Sequence, residues 1–248
     1  MKKTLLTLCL AAASFTTFAQ VYEDETPTTF GIKAGLNQAS IKTDLSGFSV
    51  PGQVSSSTKS LTSFHIGFFA DIKFTKELSL QPALLYTGKG GSFAYAVNIE
   101  AEGFNLATVA TEKLSLYYLQ LPVNLVYTMP VGDNHLFFGA GPYIAVGLSG
   151  RQKGSATIIA EGMSETTSFD QKVIFGNNPE ESTVRSTDYG ATALVGFKFW
   201  TGFSVNASYD FGLCNIQPYN SSQAQQQDAD INISPKTRTL SLSVGYTF

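Results

Sequence analysis

The sequence is poor in the features that build disulfide frameworks, nucleic-acid-binding surfaces and membrane-spanning helices. It contains 2 cysteines. Only Cys214 remains once an N-terminal export signal is removed, so neither an intramolecular disulfide nor a cysteine-based metal site is expected. The formal net charge is -3, which argues against nucleic-acid binding because that function requires a basic surface. No run after the N-terminus reaches the roughly 18 consecutive apolar residues that a spanning helix needs.

The N-terminus has the anatomy of an export signal. Two lysines follow the initiating methionine, residues 5–18 are mostly apolar, and small residues at the end of that stretch offer a cleavage site. The stretch is too short to cross a membrane as a helix. We therefore predict a signal peptide over residues 1–19, a disordered polar lead-in over residues 20–28 and a single domain over residues 29–248.

Glycine, aromatic residues and alternating patterns are abundant. The chain holds 22 glycines, 19 phenylalanines and 11 tyrosines, and only 14% of its residues are charged; this composition favours strands over helices. Apolar residues alternate with small or polar ones in about eight runs. The last run, residues 240–248, alternates strictly and ends on Phe248. This pattern suits a strand with lipid on one side and a filled or wet lumen on the other.

The connections between the eight runs are alternately long and short. Short turns facing the periplasm and long loops outside are typical of outer-membrane barrels, and an even strand count places both termini on the periplasmic side. We therefore predict an all-β fold, an eight-stranded antiparallel up-and-down transmembrane β-barrel. The long polar connections are residues 42–60, 88–111, 149–184 and 212–236, and the short ones are residues 75–77, 129–134 and 200–202.

Aromatic residues and prolines occupy informative places in the predicted strands. Aromatic side chains fall near both rims, as expected at membrane–water interfaces. Pro82, Pro122 and Pro142 fall inside strands, where each removes a ladder hydrogen bond, so bulges or local breaks are expected there. The predicted periplasmic belt is Phe30, Phe74, Tyr127, Phe199, Trp200, Phe203 and Phe248, and the predicted outer belt is Phe64, Tyr86, Tyr117 and Phe211.

Several strand segments occur in a recognisable order. Residues 78–86 read Leu-Ser-Leu-Gln-Pro-Ala-Leu-Leu-Tyr and are followed by Gly-Lys-Gly at residues 88–90. Together with three further segments they resemble the PorT-like outer-membrane β-barrel proteins of Bacteroidetes over essentially the whole mature chain. The resemblance implies a barrel in the cell outer membrane and little about activity. Where that family typically has an acidic residue after the third-strand proline, this chain has Ala83. The further segments are residues 31–37, 118–123 and 209–213.

Five charged residues share the predicted lumen face. The interior of an eight-stranded barrel is only wide enough for side chains to fill, so buried charges must pair or stay wet. We interpret these residues as a structural salt-bridge network; a proton path or a ligand site is the alternative, and a narrow water or ion path stays open. The five residues are Lys33, Asp71, Lys73, Lys198 and Asp210.

Two other functions compete with a purely structural barrel. His65 lies on the predicted lumen face with Ser63 two residues before it, and a Ser–His pair at a barrel rim is what a lipid hydrolase would use. We interpret His65 instead as an ordinary lumen residue. The second alternative is a soluble lipocalin-like barrel with its apolar face around a ligand. Against it, the polar faces are rich in Gly, Ser, Asn and Thr rather than Lys and Glu.

These observations together predict a non-enzymatic outer-membrane protein without a cofactor. The protein is expected to be surrounded by outer-membrane lipid. Its expected function is either structural, or binding or adhesion through the extracellular loops, since binding sites concentrate in loops held by a rigid scaffold. The expected partners are an extracellular ligand or other envelope proteins, and not nucleic acid.

Overall fold

The computed structural model describes residues 28–46, 53–101, 104–160, 163–178, 181–217 and 232–248. Most of this part of the chain is antiparallel β-structure. This part of the chain contains no helix that is long and apolar enough to cross a membrane. The predicted signal peptide, residues 1–19, and all but the last residue of the predicted lead-in, residues 20–28, lie outside the described residues.

Eight strands form a closed antiparallel ring, which confirms the predicted eight-stranded barrel. The ring order is β1-β3-β4-β5-β6-β8-β9-β10, and pairing of β10 with β1 closes it. Each neighbouring pair is antiparallel. The strands are β1 (Thr29–Ser46), β2 (Gln53–Lys59), β3 (Leu61–Lys73), β4 (Leu78–Ala101), β5 (Phe104–Val131), β6 (Asn134–Ala160), β7 (Met163–Lys172), β8 (Thr187–Lys198), β9 (Phe203–Gly212) and β10 (Asn232–Thr247).

Three of the four long connections, residues 42–60, 88–111 and 149–184, differ from the prediction, because much of each is strand rather than loop. The β4–β5 ladder continues without interruption from Gly88↔Tyr117 to Ala101↔Phe104. The β5–β6 ladder runs alongside it, β7 pairs with the far part of β6, and β2 pairs with the far part of β4. Consequently a five-stranded sheet, β2-β4-β5-β6-β7, projects beyond the ring. We call this projecting part the outer sheet.

The ring carries its bulky apolar side chains on the outside. In β10, Leu240, Leu242 and Val244 are 54%, 61% and 59% exposed, whereas Ser241 and Ser243 between them are 8% and 2% exposed. A lipocalin-like barrel would reverse these values, because its apolar residues would line the cavity. The lipocalin-like alternative is therefore wrong.

The short turns and the aromatic side chains at the two rims lie where the sequence predicts them. Residues 132 and 202 are glycines with φ of 62° and 89°, left-handed conformations that suit these tight turns. The predicted periplasmic-belt side chains are exposed at this end. At the opposite rim, the ring of Tyr86 stacks on that of Tyr117 with centroids 5.5 Å apart, and Phe64 lies beside both.

The three strand prolines produce local breaks without any change of register. Beside Pro82, for example, the β3–β4 ladder passes from Phe69↔Ala83 directly to Ile72↔Leu80. Two pairs are likewise missing from the β4–β5 ladder beside Pro122 and from the β5–β6 ladder beside Pro142. The register shift in the β5–β6 ladder occurs elsewhere, between Tyr117 and Tyr118.

The lumen is filled in layers. Next to the short turns lies an inner apolar layer, above it a polar layer that contains His65, and at the far end a second apolar cluster, which we call the outer plug. The inner apolar layer consists of Phe69, Ala83, Leu85, Val126, Phe137 and Leu194. The outer plug consists of Ile41, Leu114, Leu116, Tyr118, Tyr143, Ala145, Val173, Val184 and Ile216.

Part of the outer plug comes from connections that enter the barrel. Val173 and Val184 lie between β7 and β8, Ile216 lies between β9 and β10, and all three are buried in the cluster. Phe175 contacts Tyr118 edge-on with ring centroids 5.7 Å apart. Its ring also covers Gly147 so closely that an added Cβ would clash with it. The glycine therefore leaves the space that this aromatic side chain occupies.

Candidate functional site

The polar layer centres on a fully buried ion pair. The Lys89 Nζ lies 3.0 Å from Asp188 Oδ2, with both side chains out of contact with solvent, and 3.9 Å from Asp210 Oδ2. It also lies 4.1 Å from the centroid of the Tyr143 ring, within the range of a cation–π contact. Lys89 thus joins β4 to carboxylates on β8 and β9.

Neutral donors also bind both carboxylates, although Asp188 Oδ1 is buried without a hydrogen-bond partner among the described residues. Asp188 Oδ2 accepts hydrogen bonds from Thr237 Oγ1 at 3.0 Å and from the Tyr143 hydroxyl at 3.3 Å. Asp210 accepts hydrogen bonds from Gln120 Nε2 and Thr192 Oγ1, each at 2.8 Å. Such donors offset part of the cost of burying a polar group in a dry interior.

The five predicted lumen charges divide into two groups. Asp210 and Lys33 line one cavity of about 20 Å³ in the polar layer, which has room for about one water molecule. Asp71, Lys73 and Lys198 instead line a pocket at the short-turn end. None of the four ion pairs among described residues joins two of the five predicted charges.

The central pair, Lys89 and Asp188, is not among the five predicted lumen charges. Lys89 falls in the predicted connection over residues 88–111, yet it continues the lumen-facing alternation of Ala83, Leu85 and Thr87, all of which are buried. That continuation is the signal that locates it. Asp188 falls on the predicted lumen face at the start of its strand, but alternation alone does not indicate which charges meet.

His65 belongs to a hydrogen-bonded chain in the same layer. Its Nδ1 lies 2.6 Å from Asn37 Oδ1, and its Nε2 lies 2.8 Å from Ser243 Oγ. Asn37 Nδ2 donates in turn to Thr87 Oγ1 and to the Gly88 carbonyl, both at 2.9 Å. The predicted partner, Ser63, donates instead to the Gly88 carbonyl and does not pair with the imidazole.

The chain Ser243–His65–Asn37 has the connectivity of a nucleophile, a base and an orienting group. However, His65 is 4% exposed, and Ser243 and Asn37 are also buried inside the ring. A lipid ester outside the barrel therefore has no route to the hydroxyl. The described residues contain no group of three or more His, Cys, Asp or Glu side chains arranged to hold a metal ion.

The outer sheet has two chemically different faces. The lumen-side face carries aromatic rings: Phe93 and Tyr95 stack with centroids 6.4 Å apart, and Phe169 covers Gly154. The opposite face carries hydroxyls and charges, including a hydrogen bond of 2.9 Å between Thr157 and Thr166. All residues of β7 are exposed.

A small ion-pair network ties β7 to β6 on the polar face. Arg151 binds Asp170 through two hydrogen bonds, and Lys153 Nζ lies 3.1 Å from Asp170 Oδ2. Hydrogen bonds from Arg151, and then from Lys153, hold the pKa of the Asp170 carboxyl below its usual range. The hydrogen bond to Asp170 likewise raises the pKa of the Arg151 guanidinium.

Residues 18–217 match the sequence model of the family described as "Outer membrane protein beta-barrel domain". Among solved structures, the chain is similar to Ail, the attachment invasion locus protein of Yersinia pestis, with 14% identity, 90% of this chain and 100% of that chain covered, and a TM-score of 0.35. It is similar to OprG from Pseudomonas aeruginosa with 12% identity, coverage of 89% and 95%, and a TM-score of 0.40. For Neisserial surface protein A the identity is 13%, the coverage 90% and 99%, and the TM-score 0.35. No curated protein sequence matches the chain.

Proposed function

Since this chain belongs to the outer membrane protein β-barrel domain family, we propose that it is a non-enzymatic outer-membrane protein that binds an extracellular partner through its outer sheet. The family and the closed ring place the protein in the outer membrane, with its short turns toward the periplasm and the outer sheet outside the cell. The surrounding partner is outer-membrane lipid, against which the exposed leucine, valine and phenylalanine side chains lie.

The outer sheet is the observation that carries the proposal. Its strands are uninterrupted continuations of ring strands β4, β5 and β6, so it is held rigidly by the membrane-embedded barrel. Five strands at a spacing of about 4.8 Å, each of roughly eight residues, give a face of about 600 Å². That area approaches the roughly 800 Å² that each partner contributes to a stable protein interface.

The filled lumen supports a binding role over transport. The inner apolar layer and the outer plug fill the lumen with apolar side chains on both sides of the polar layer. Between them, Lys89 is engaged with Asp188 and Asp210. The buried position of Ser243, His65 and Asn37 favours the non-enzymatic alternative over a lipid hydrolase.

Within the family we infer that the chain belongs to the PorT-like branch of Bacteroidetes. The order and spacing of residues 31–37, 78–90, 118–123 and 209–213 support this assignment. Binding or adhesion to an extracellular ligand, or to another envelope protein, is the activity we assign to the outer sheet.

The test removes the β4, β5, β6 and β7 parts of the outer sheet and keeps the ring; of the residues that pair with β2, only Ser92 remains. Residues 93–112 and 154–169 are each replaced by an Asn-Gly turn, which joins the strands at Ser92↔Lys113 and Lys153↔Asp170. Cells displaying the full-length protein are compared with cells displaying the trimmed variant for attachment to wells coated with fibronectin, laminin, collagen or nothing. We expect attachment to at least one surface to fall about fivefold or more on trimming.

The control is Trp200→Ala, which alters an exposed side chain at the periplasmic rim and should leave attachment unchanged. Equal attachment of full-length and trimmed cells to every surface would contradict the binding role. Release of fatty acid from outer-membrane lipid by the purified protein, lost in His65→Ala, would contradict its non-enzymatic character.

A further inference from the structure

A pocket opens into the lumen at the periplasmic end, below the inner apolar layer. Its volume is about 110 Å³. Phe69, Val126 and Phe137 lie at its inner end, and residues of the 74–77 turn lie at its entrance. We call it the mouth pocket. Its charged and polar lining includes Asp71, Lys73, Lys76, Ser79, His135 and Lys198.

Two polar atoms of the mouth pocket have no protein partner. Ser79 is only 3% exposed, and neither its Oγ nor Asp71 Oδ1 makes a hydrogen bond with a described residue. Buried polar atoms are nearly always satisfied, because desolvation without a partner is unfavourable. One donor–acceptor hydroxyl and one acceptor carboxylate oxygen are therefore available to a guest in the pocket.

The cationic side chains of the mouth pocket are likewise available. Lys73 lies on β3 and Lys198 on β8, which are on opposite sides of the eight-stranded ring. Lys198 is within electrostatic range of both Asp71 and Lys73, yet neither lysine forms an ion pair with any described residue. Besides Lys76 and Glu77 in the turn at its entrance, the pocket thus presents the ammonium groups of Lys73 and Lys198 and the Asp71 carboxylate to the same small volume.

We propose that the mouth pocket binds a small zwitterion of the α-amino acid class. The ligand carboxylate lies between the Lys73 and Lys198 ammonium groups, and the ligand amino group donates to Asp71 Oδ1, with the Ser79 hydroxyl completing the site. A volume of about 110 Å³ corresponds to roughly four water molecules of liquid. This accommodates a compact amino acid such as alanine. The site lies at the opposite end of the barrel from the outer sheet, so it does not depend on the proposed extracellular binding.

The experiment uses the full chain in detergent micelles and detects binding by saturation-transfer NMR of four probes: alanine, acetate, methylamine and inorganic phosphate. We expect alanine to bind with an affinity near 1 mM, within what so small a ligand can reach. Acetate and methylamine, each lacking one of the two charges, should bind about tenfold or more weaker. Phosphate should also bind more weakly, because Asp71 opposes a dianion.

Two variants and one control localise the site. Lys198→Met and Asp71→Asn should each weaken alanine binding about tenfold, and Asp71→Asn should bring alanine down to the affinity of acetate. Lys153→Gln, in the outer sheet, should change nothing. No alanine signal at about 20 mM, or acetate or phosphate binding as tightly as alanine to the unaltered protein, would overturn the proposal. These comparisons use the native chain, so they hold even where a variant fails to fold.

Discussion

Lys89 and Asp188 form the most demanding contact in the lumen, because two charges 3.0 Å apart are wholly removed from water. Taking each ion out of water costs several kcal/mol, and the attraction between the two ions offsets this desolvation cost only when further hydrogen bonds are present. Thr237 and Tyr143 supply these at Asp188. The pair joins strands that are not neighbours in the ring, so it fixes how the walls of the barrel face each other.

Removing one partner of this pair should therefore destabilise the barrel strongly. We expect Asp188→Ala to lower the free energy of unfolding by about 3–5 kcal/mol, because it leaves the Lys89 ammonium buried without its closest counter-charge. The measurement is urea-induced unfolding of the protein in lipid vesicles. The double variant Lys89→Met with Asp188→Leu should recover most of the loss. Asp170→Asn, at an exposed ion pair, serves as the control and should leave the midpoint nearly unchanged.

A loss in Asp188→Ala as small as in the control would show that water reaches Lys89. A double variant less stable than Asp188→Ala would show that packing, rather than the unpaired charge, dominates at this position. Either result would contradict the electrostatic interpretation of the polar layer.

For single residues, the sequence predicts whether a side chain faces the lumen better than it predicts which side chains it contacts there. Alternation correctly places Asn37, His65 and Asp210 inside the ring. It does not predict that Ser243, 178 residues away from His65 in sequence, supplies the imidazole's second partner. That contact depends on strand register and on which strands meet across the lumen, and neither is contained in a local pattern.

The outer sheet shows where element prediction from sequence fails. Ring strands have one face on lipid and one on a small lumen, so their residue types alternate sharply. Beyond the membrane, strands such as β7 have water-accessible residues on both faces, and Ser, Thr and Ala fill both. The period of two then loses its apolar contrast, and the segments resemble loops although their ladders are continuous.

The exposed ion pairs of β7 should make its pairing sensitive to acid. The pKa of Asp170 lies below its ordinary value of 3.8, so the carboxylate stabilises the folded hairpin at neutral pH. That contribution is present above 3.8 and is lost as pH falls through the lower pKa of the folded state. We expect the hydrogen-exchange protection of residues 163–172, corrected for intrinsic rate, to be constant from about pH 7 to 5 and to decline below 3.8.

The matched variant is Asp170→Asn, whose protection in the same segment should not depend on pH in this window. About 1 M salt should reproduce part of the acid effect at neutral pH, because exposed pairs are screened. Loss of protection already between pH 7 and 5, or an acid response that persists in Asp170→Asn, would assign the effect to another group.

For the whole molecule, the barrel is predictable because two solvents impose one pattern on the entire chain. Lipid outside and a narrow lumen inside force the same alternation in every ring strand, and closure follows from an even number of antiparallel strands. Closure of the lumen is not predictable in this way. Val173, Val184 and Ile216 enter the barrel from connections without any period, so only the folded chain shows that they fill it.

Two apolar layers in series should make the protein non-conducting. Ions crossing the lumen would have to pass both the inner apolar layer and the outer plug, and an apolar constriction excludes water and ions even when a small gap remains. We expect vesicles containing the protein to show potassium efflux no faster than empty vesicles. Opening one layer should change little, because the other still blocks the path.

The decisive variants open the layers singly and together. Phe69→Ala with Phe137→Ala opens the inner apolar layer, and Val173→Ser with Phe175→Ser weakens the outer plug. Each pair alone should leave efflux at the level of the native protein. The quadruple variant should raise it about tenfold or more, since the polar layer already contains a cavity of about 20 Å³ with room for about one water molecule. Potassium efflux through the native protein, or through the Val173→Ser, Phe175→Ser variant alone, would mean that the inner apolar layer does not seal the barrel. The protein would then be a channel as well as a binding protein.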